Sequence, residues 1–233
     1  MCNIRQIFQL AGQKFSGWKR NPRIVMTFLL AFVLCLFLSD EVLTYSRRYE
    51  TSLQILELFI WTYGDAASVM LSSLLLVLLF ADMPFVNQET PYQLIRTKRS
   101  VWLAGQLAYV NATTKLYKLF LVIVQSVFAA AFAFPGNVWS KTAALLGYGG
   151  ASKGIVPVSV KTMEQVLPYE CALQVFLLML CYSLFIAAVM LCLNLLIGNA
   201  AGVIGAFAVN LYGFLLNPNL LQKLFHLTEN LLY

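Results

Sequence analysis

The chain has 233 residues, of which 60% are hydrophobic and only 11% charged, with a formal net charge of +6. A soluble domain is about 45–50% apolar and about 25% charged, so a water-soluble globular enzyme is excluded at the outset, and the mean hydropathy of +0.75 points the same way. The basic balance does not indicate nucleic acid, because the charge fraction is too low and the bases flank apolar runs that need membrane. The expectation is an all-α integral membrane protein forming a single transmembrane domain over 1–233.

The first element is an amphipathic helix over 4–18. Ile4, Ile7, Phe8, Ala11, Phe15 and Trp18 recur at i, i+3, i+4 and i+7, with Arg5, Gln6, Gln9, Gln13 and Lys14 opposite. Such a helix is expected to lie in the membrane interface, with Ile4, Ile7, Phe8, Phe15 and Trp18 as its anchor. Met1 to Arg23 is polar and basic and has no cleavable signal pattern. Five apolar stretches follow, at 24–38, 66–81, 116–134, 171–197 and 200–216. None contains Asp or Glu, and only Lys118 intrudes, one turn into the third. A span takes about 17–25 residues, so the first is short and needs help from its flanks. No proline falls inside a run: Pro22, Pro84, Pro135, Pro168 and Pro218 sit at the boundaries, where a missing N–H does no harm. The runs do not alternate apolar and polar, so a β-barrel is not expected.

Lys and Arg orient the spans. Ten bases lie on the N-terminal side (Arg5, Lys14, Lys19, Arg20, Arg23, Arg96, Lys98, Arg99, Lys115, Lys118) against six on the other (Arg47, Arg48, Lys141, Lys153, Lys161, Lys223). The positive-inside rule puts the N-terminus in the cytoplasm, with external segments at 39–65, 135–170 and 217–233. The last of these carries Lys223, His226 and Glu229 and is too polar for a sixth span. About five spans are therefore expected, the alternative being a six-helix arrangement lacking its last span.

The loop at 84–114 has structure of its own. Thr90-Pro91 starts a short helix over 92–96, and Ser100 caps a second over 101–109. A loop of this length usually has a purpose: a docking platform for a cytoplasmic partner, or a basic topology signal lying on lipid. Catalytic motifs are missing. Residues 12–19 read GQKFSGWK, with Trp18 where a phosphate-binding loop needs Lys. His226 is the sole histidine, and no metal or paired-cysteine motif occurs. The cysteines suit apolar packing. Asn111-Ala-Thr113 matches a glycosylation sequon but falls on the cytoplasmic side. Besides Lys118, the polar side chains of the spans, Ser72, Ser73, Gln125, Ser126, Asn194 and Asn210 among them, include no carboxylate, and a carrier driven by protons or sodium usually needs one there. Gly198, Gly202 and Gly205 are spaced for close helix approach, either within the subunit or across a dimer.

With the amphipathic helix and the loop Pro91-Tyr-Gln-Leu-Ile-Arg-Thr-Lys-Arg-Ser-Val-Trp-Leu-Ala-Gly-Gln106 in view, the chain resembles the permease subunits of ABC transporters of the type-2 exporter family, in the form found in Gram-positive bacteria. The Arg96-Thr-x-Arg99-x-x-Trp102-x-x-Gly105 cluster carries the likeness together with the layout of the whole chain. The resemblance implies that the N-terminal helix is an elbow helix. It implies that Tyr92, Leu94, Ile95, Arg96, Lys98, Arg99 and Trp102 belong to a coupling helix that docks on a separate ATPase subunit. It also implies that a second permease, identical or related, completes the path. This chain would bind no cofactor, ATP and Mg residing on the partner, and would not itself be an enzyme. The implied cargo is an amphiphile such as a peptide, drug or lipid. The rival is a non-transporting membrane scaffold or immunity protein that binds a partner; an intramembrane enzyme is a weaker rival, for want of paired acids, histidines or metal motifs.

Overall fold

A computed structural model describes residues 4–18, 21–84, 98–148 and 160–216. Helix accounts for 82% of these. In chain order the elements are α1 (Ile4–Ser16), α2 (Pro22–Arg48), β1 (Leu53–Gln54), α3 (Glu57–Tyr63), α4 (Ala66–Leu79), α5 (Arg99–Ala129), β2 (Ala133–Phe134), α6 (Lys141–Tyr148), α7 (Val160–Gln165), α8 (Pro168–Leu196) and α9 (Asn199–Leu215).

Three helices, α2, α5 and α8, are long and apolar enough to cross a membrane. A fourth crossing exists if α3 and α4, bent by 88° at their junction, count as one broken span. α9 is apolar but shorter. The architecture is consistent with an all-α membrane protein. At about 1.5 Å per residue, the fourteen residues of α4 reach about 21 Å, less than a hydrocarbon core of about 30 Å.

The packing of α2 shows what kind of surface the bundle presents. Its inward face is Thr27, Ala31, Cys35, Ser39, Val42 and Ser46. Its outward face carries Val25, Met26, Leu29, Phe32, Leu36 and Phe37, all exposed. Small side chains inside and large apolar ones outside suit a helix whose neighbours approach closely while lipid covers the rest. α8 shares the outward half of the pattern, with Leu177, Leu178, Phe185 and Leu196 exposed, but buries Met179, Ile186 and Met190 beside Ala172, Ser183, Ala187 and Asn194.

Caps and turns explain the boundaries. Asn21 accepts from the Arg23 N–H and Pro22 occupies the first position of α2. Nothing stops α2 at Leu38, and the helix continues through the polar residues to Arg48. Asp65 caps α4, accepting from the N–H groups of Ala67 (3.0 Å) and Ser68 (3.3 Å). Gly198, at φ 139°, lets the chain reverse between α8 and α9. α4 packs among α2, α8 and α9, and α5 packs against α1, α2, α3 and α8. One end of the bundle, the near end, gathers α1, the starts of α2 and α5 and the end of α4. There Arg23 and Asp82 form the one ion pair among the described residues. At the far end, β1 and β2 pair in parallel, Leu53 with Ala133 and Gln54 with Phe134.

Two differences from the expected layout stand out. The loop expected over 84–114 is helical from Arg99, and the helix runs unbroken to Ala129, because no proline or interior break separates the helix expected over 101–109 from the apolar run. The segment expected to be an external loop over 39–65 contains α3, all seven of whose residues are buried.

Candidate functional site: a polar seam behind a far-end cavity

α5 turns a polar face into the bundle. Gln106, Thr113, Thr114, Lys118 and Gln125 are all buried on it, at helical spacing. Lys118 is 1% exposed. Its ammonium donates to Ser72 Oγ at 3.3 Å and lies 5.4 Å from the centroid of the Tyr117 ring. Ser72 donates to the Val69 carbonyl at 2.9 Å, and Tyr117 OH donates to the Ser72 carbonyl at 3.0 Å. Ser72 stands midway along α4, so this group lies deep in the bundle. Thr114, one turn before Lys118, keeps its buried hydroxyl without a partner, as does Ser183 on α8.

The next residue of α4 joins a second group. Ser73 donates to Asn210 Oδ1 of α9, which also accepts from Tyr182 OH at 3.0 Å, while Asn210 Nδ2 donates to the Ala206 carbonyl at 2.8 Å. Tyr182 and Asn210 line a half-open cavity of about 240 Å3, together with Asp65, Val69, Met70 and Phe214. The two groups meet on α4, where Ser73, bonded to Asn210, follows Ser72, which Lys118 reaches. A second hollow of about 280 Å3 between α3, α5 and α8 is lined by apolar side chains such as Phe59, Leu119 and Phe176, with Tyr169 as its one residue bearing a polar side chain.

The far end is pinned by a buried carboxylate. Glu57, fully buried at the start of α3, accepts from the Ser140 N–H at 2.6 Å and its hydroxyl at 2.5 Å, and from the Gln54 N–H at 3.2 Å. Thr142 donates to the Ser52 carbonyl at 2.9 Å, and the Trp61 and Trp139 rings stack 5.2 Å apart. A carboxylate held by three donors of its own fold is an anchor.

The near end is where the expected coupling residues belong. Tyr92, Leu94, Ile95 and Arg96 lie outside the described residues. Lys98 is the N-cap position of α5, Arg99 its first residue and Trp102 part of its first turn. Lys98 and Arg99 are exposed, and Trp102 is half-buried. α1 packs along this same stretch. Lys14 donates to Gln106 Oε1 at 2.7 Å, and Trp18 Nε1 donates to Tyr109 OH at 2.9 Å. The Phe15 ring sits 5.0 Å from that of Tyr109. Burial pulls the Lys14 pKa down to about 8. Of the expected anchor residues, Ile4 and Phe8 are exposed, whereas Ile7, Phe15 and Trp18 are half-buried. The apolar stripe therefore divides, one part against α5 and the other facing outward.

Gly202 and Gly205 face α8. Asn194 Oδ1 accepts from the Gly202 N–H at 2.8 Å, and an added Cβ at either glycine would overlap Asn194 or Leu193. A Cβ at Gly198 would meet nothing within 4 Å. Among the described residues no group of three metal-ligating side chains occurs, and Cys35, Cys171, Cys181 and Cys192 are free. Lys118, a topology base by charge, is placed inward by the fold. The recurrence of polar residues at 106, 113–114, 117–118 and 125 was the available signal. No family model matches the chain, nor does any curated protein or solved structure.

Proposed function

We propose that the chain is the membrane-spanning permease subunit of an ATP-driven ABC exporter, moving an amphiphile with energy supplied by a separate ATPase. ATP and Mg belong to that partner. A second permease, identical or related, supplies the other wall of the path, and the N-terminus lies in the cytoplasm of a bacterial cell. The observation that favours this reading is the continuity of α5. One helix of thirty-one residues begins beside the basic segment 96–99 and carries Lys118 into the interior. Its first turns are bound to α1 through Lys14, Phe15 and Trp18. A partner that displaces the segment 92–99 would move α1 and the head of α5 together, and a rigid helix transmits that displacement to the seam. No carboxylate lies beside Lys118 among its recorded partners, which fits an outside energy source better than an ion gradient.

The test is purification of the tagged chain from its native membrane in a mild detergent. A stoichiometric ATPase subunit should come with it, and the joint charge reversal Arg96→Glu and Arg99→Glu should remove that subunit while leaving the permease folded. A chain that purifies alone, or with a partner that hydrolyses no nucleotide, would replace this reading with the scaffold.

A further inference from the structure

We infer that Lys118 is the counter-charge for the anionic head group of an amphiphilic ligand, and that the cavity over Tyr182 and Asn210 is the far-end opening of its path. Movement of that ligand across the membrane rests on the permease reading, whereas its binding does not.

An ammonium has three donors. Lys118 uses one, on Ser72 at 3.3 Å, and a ring at 5.4 Å supplies further weak attraction. A charge held this deep is costly unless matched by an opposite charge and hydrogen bonds. A methionine of similar length would fill the space without that cost, so packing alone does not account for a lysine. The surroundings supply donors suited to an anion. Ser72 and Tyr117 hydroxyls are spent on backbone carbonyls and can rotate away from them. Thr114, one turn away, has its hydroxyl unspent. Ammonium and hydroxyls together form the donor set that carboxylate or phosphate oxygens require.

The opposite preference, a cation, would depend on Asp65, the carboxylate lining the cavity. Asp65 is already engaged by two N–H groups at the start of α4, so its charge is partly compensated. The charge left without a counter-ion is Lys118. At the cavity Ser73 and Tyr182 both bond Asn210, and Ser72, the neighbour of Ser73 on α4, bonds Lys118. Exchange of these bonds onto the ligand would open the way between cavity and lysine. Val69, Met70 and Phe214 along the cavity wall give an alkyl chain its apolar contact.

Binding is measurable on the purified full chain in a neutral maltoside detergent, from its thermal midpoint by tryptophan fluorescence. The probes are octanoate, octylamine, octanol and acetate. Octanoate should raise the midpoint above the effect of octanol, and octylamine should not. Lys118→Met should weaken half-saturation by octanoate at least ten-fold, to the level of octanol. The variant should fold, since an apolar side chain of similar volume in place of a poorly matched buried charge is often neutral or stabilising. Lys118→Gln, which keeps a donor without the charge, should lose the same preference. An octanoate advantage that survives both substitutions, or a larger effect from octylamine, would overturn the assignment, the second pointing to Asp65. Acetate matching octanoate would overturn the amphiphile in favour of a small free anion. None of these outcomes depends on an ATPase, so a failure here is distinct from a failure to copurify one.

Discussion

The two short helices at opposite ends of the bundle are built on contrary principles. α1, at the near end, is amphipathic, and its contacts with α5 leave Ile4 and Phe8 exposed. α3, at the far end, has seven residues with no exposed face, including a glutamate, a threonine, a tryptophan and a tyrosine. α1 gains from a stripe that any apolar neighbour can cover. α3 is held by specific partners, above all Ser140, which lies far along the chain. The first kind of helix can shift while remaining attached. The second is locked, since moving it would leave the buried Glu57 carboxylate without its donors.

Substitutions should separate the two ends. The largest effect is expected from Glu57→Ala, which strips the acceptor from Ser140 and Gln54. A loss of about 3 kcal/mol is expected, read by denaturant unfolding of the purified protein, and a loss below about 1 kcal/mol would mean that α3 is held by packing alone. Next comes Gly105→Val. A Cβ at Gly105 would already stand 3.0 Å from the Leu10 Cβ, so a branched side chain should push α1 off α5 at a cost of about 2 kcal/mol. Hydrogen exchange should rise over 4–18 and remain unchanged over 57–63. Trp18→Phe keeps the ring packing and removes the bond to Tyr109, which should cost about 1 kcal/mol and raise exchange in the same segment. Stability should also depend on pH. The Lys14 pKa is about 8 in the fold against 10.5 ordinarily, so between pH 8 and 10.5 the unfolded chain binds more protons and stability rises with pH. Lys14 should also acylate at pH 8 ahead of exposed lysines, and equal rates would remove the claim that it is sheltered by α5.

The same contrast explains what could be read in advance. The apolar runs ending in α2, α5 and α8 stand out because lipid-facing side chains need only be large and apolar, a property of each residue alone. α1 is visible because its period shows in a single stretch of chain. α3 is not visible. Residues 57–63 read as loop because Glu57 and Trp61 look like surface or interface residues until Ser140 and Trp139 are placed beside them. The bend between α3 and α4 follows from Gly64 and Asp65, which read equally well as the end of a loop and the cap of a full span. Lys118 was visible as a residue and hidden as a site: its burial depends on the angle at which α5 meets α4. The boundary at Arg99 was lost for a further reason, that polar residues within a long helix resemble a loop when judged by hydropathy alone.

On the permease reading, displacement of the near end opens the seam around Lys118. The most direct test is the accessibility of Thr114→Cys, one turn from Lys118, in a background with the native cysteines replaced and with the copurified complex in vesicles. A water-soluble thiol reagent should label position 114 during ATP turnover and fail to label it without ATP. Labelling that is the same in both conditions, or that never occurs, would contradict a seam opened by the partner.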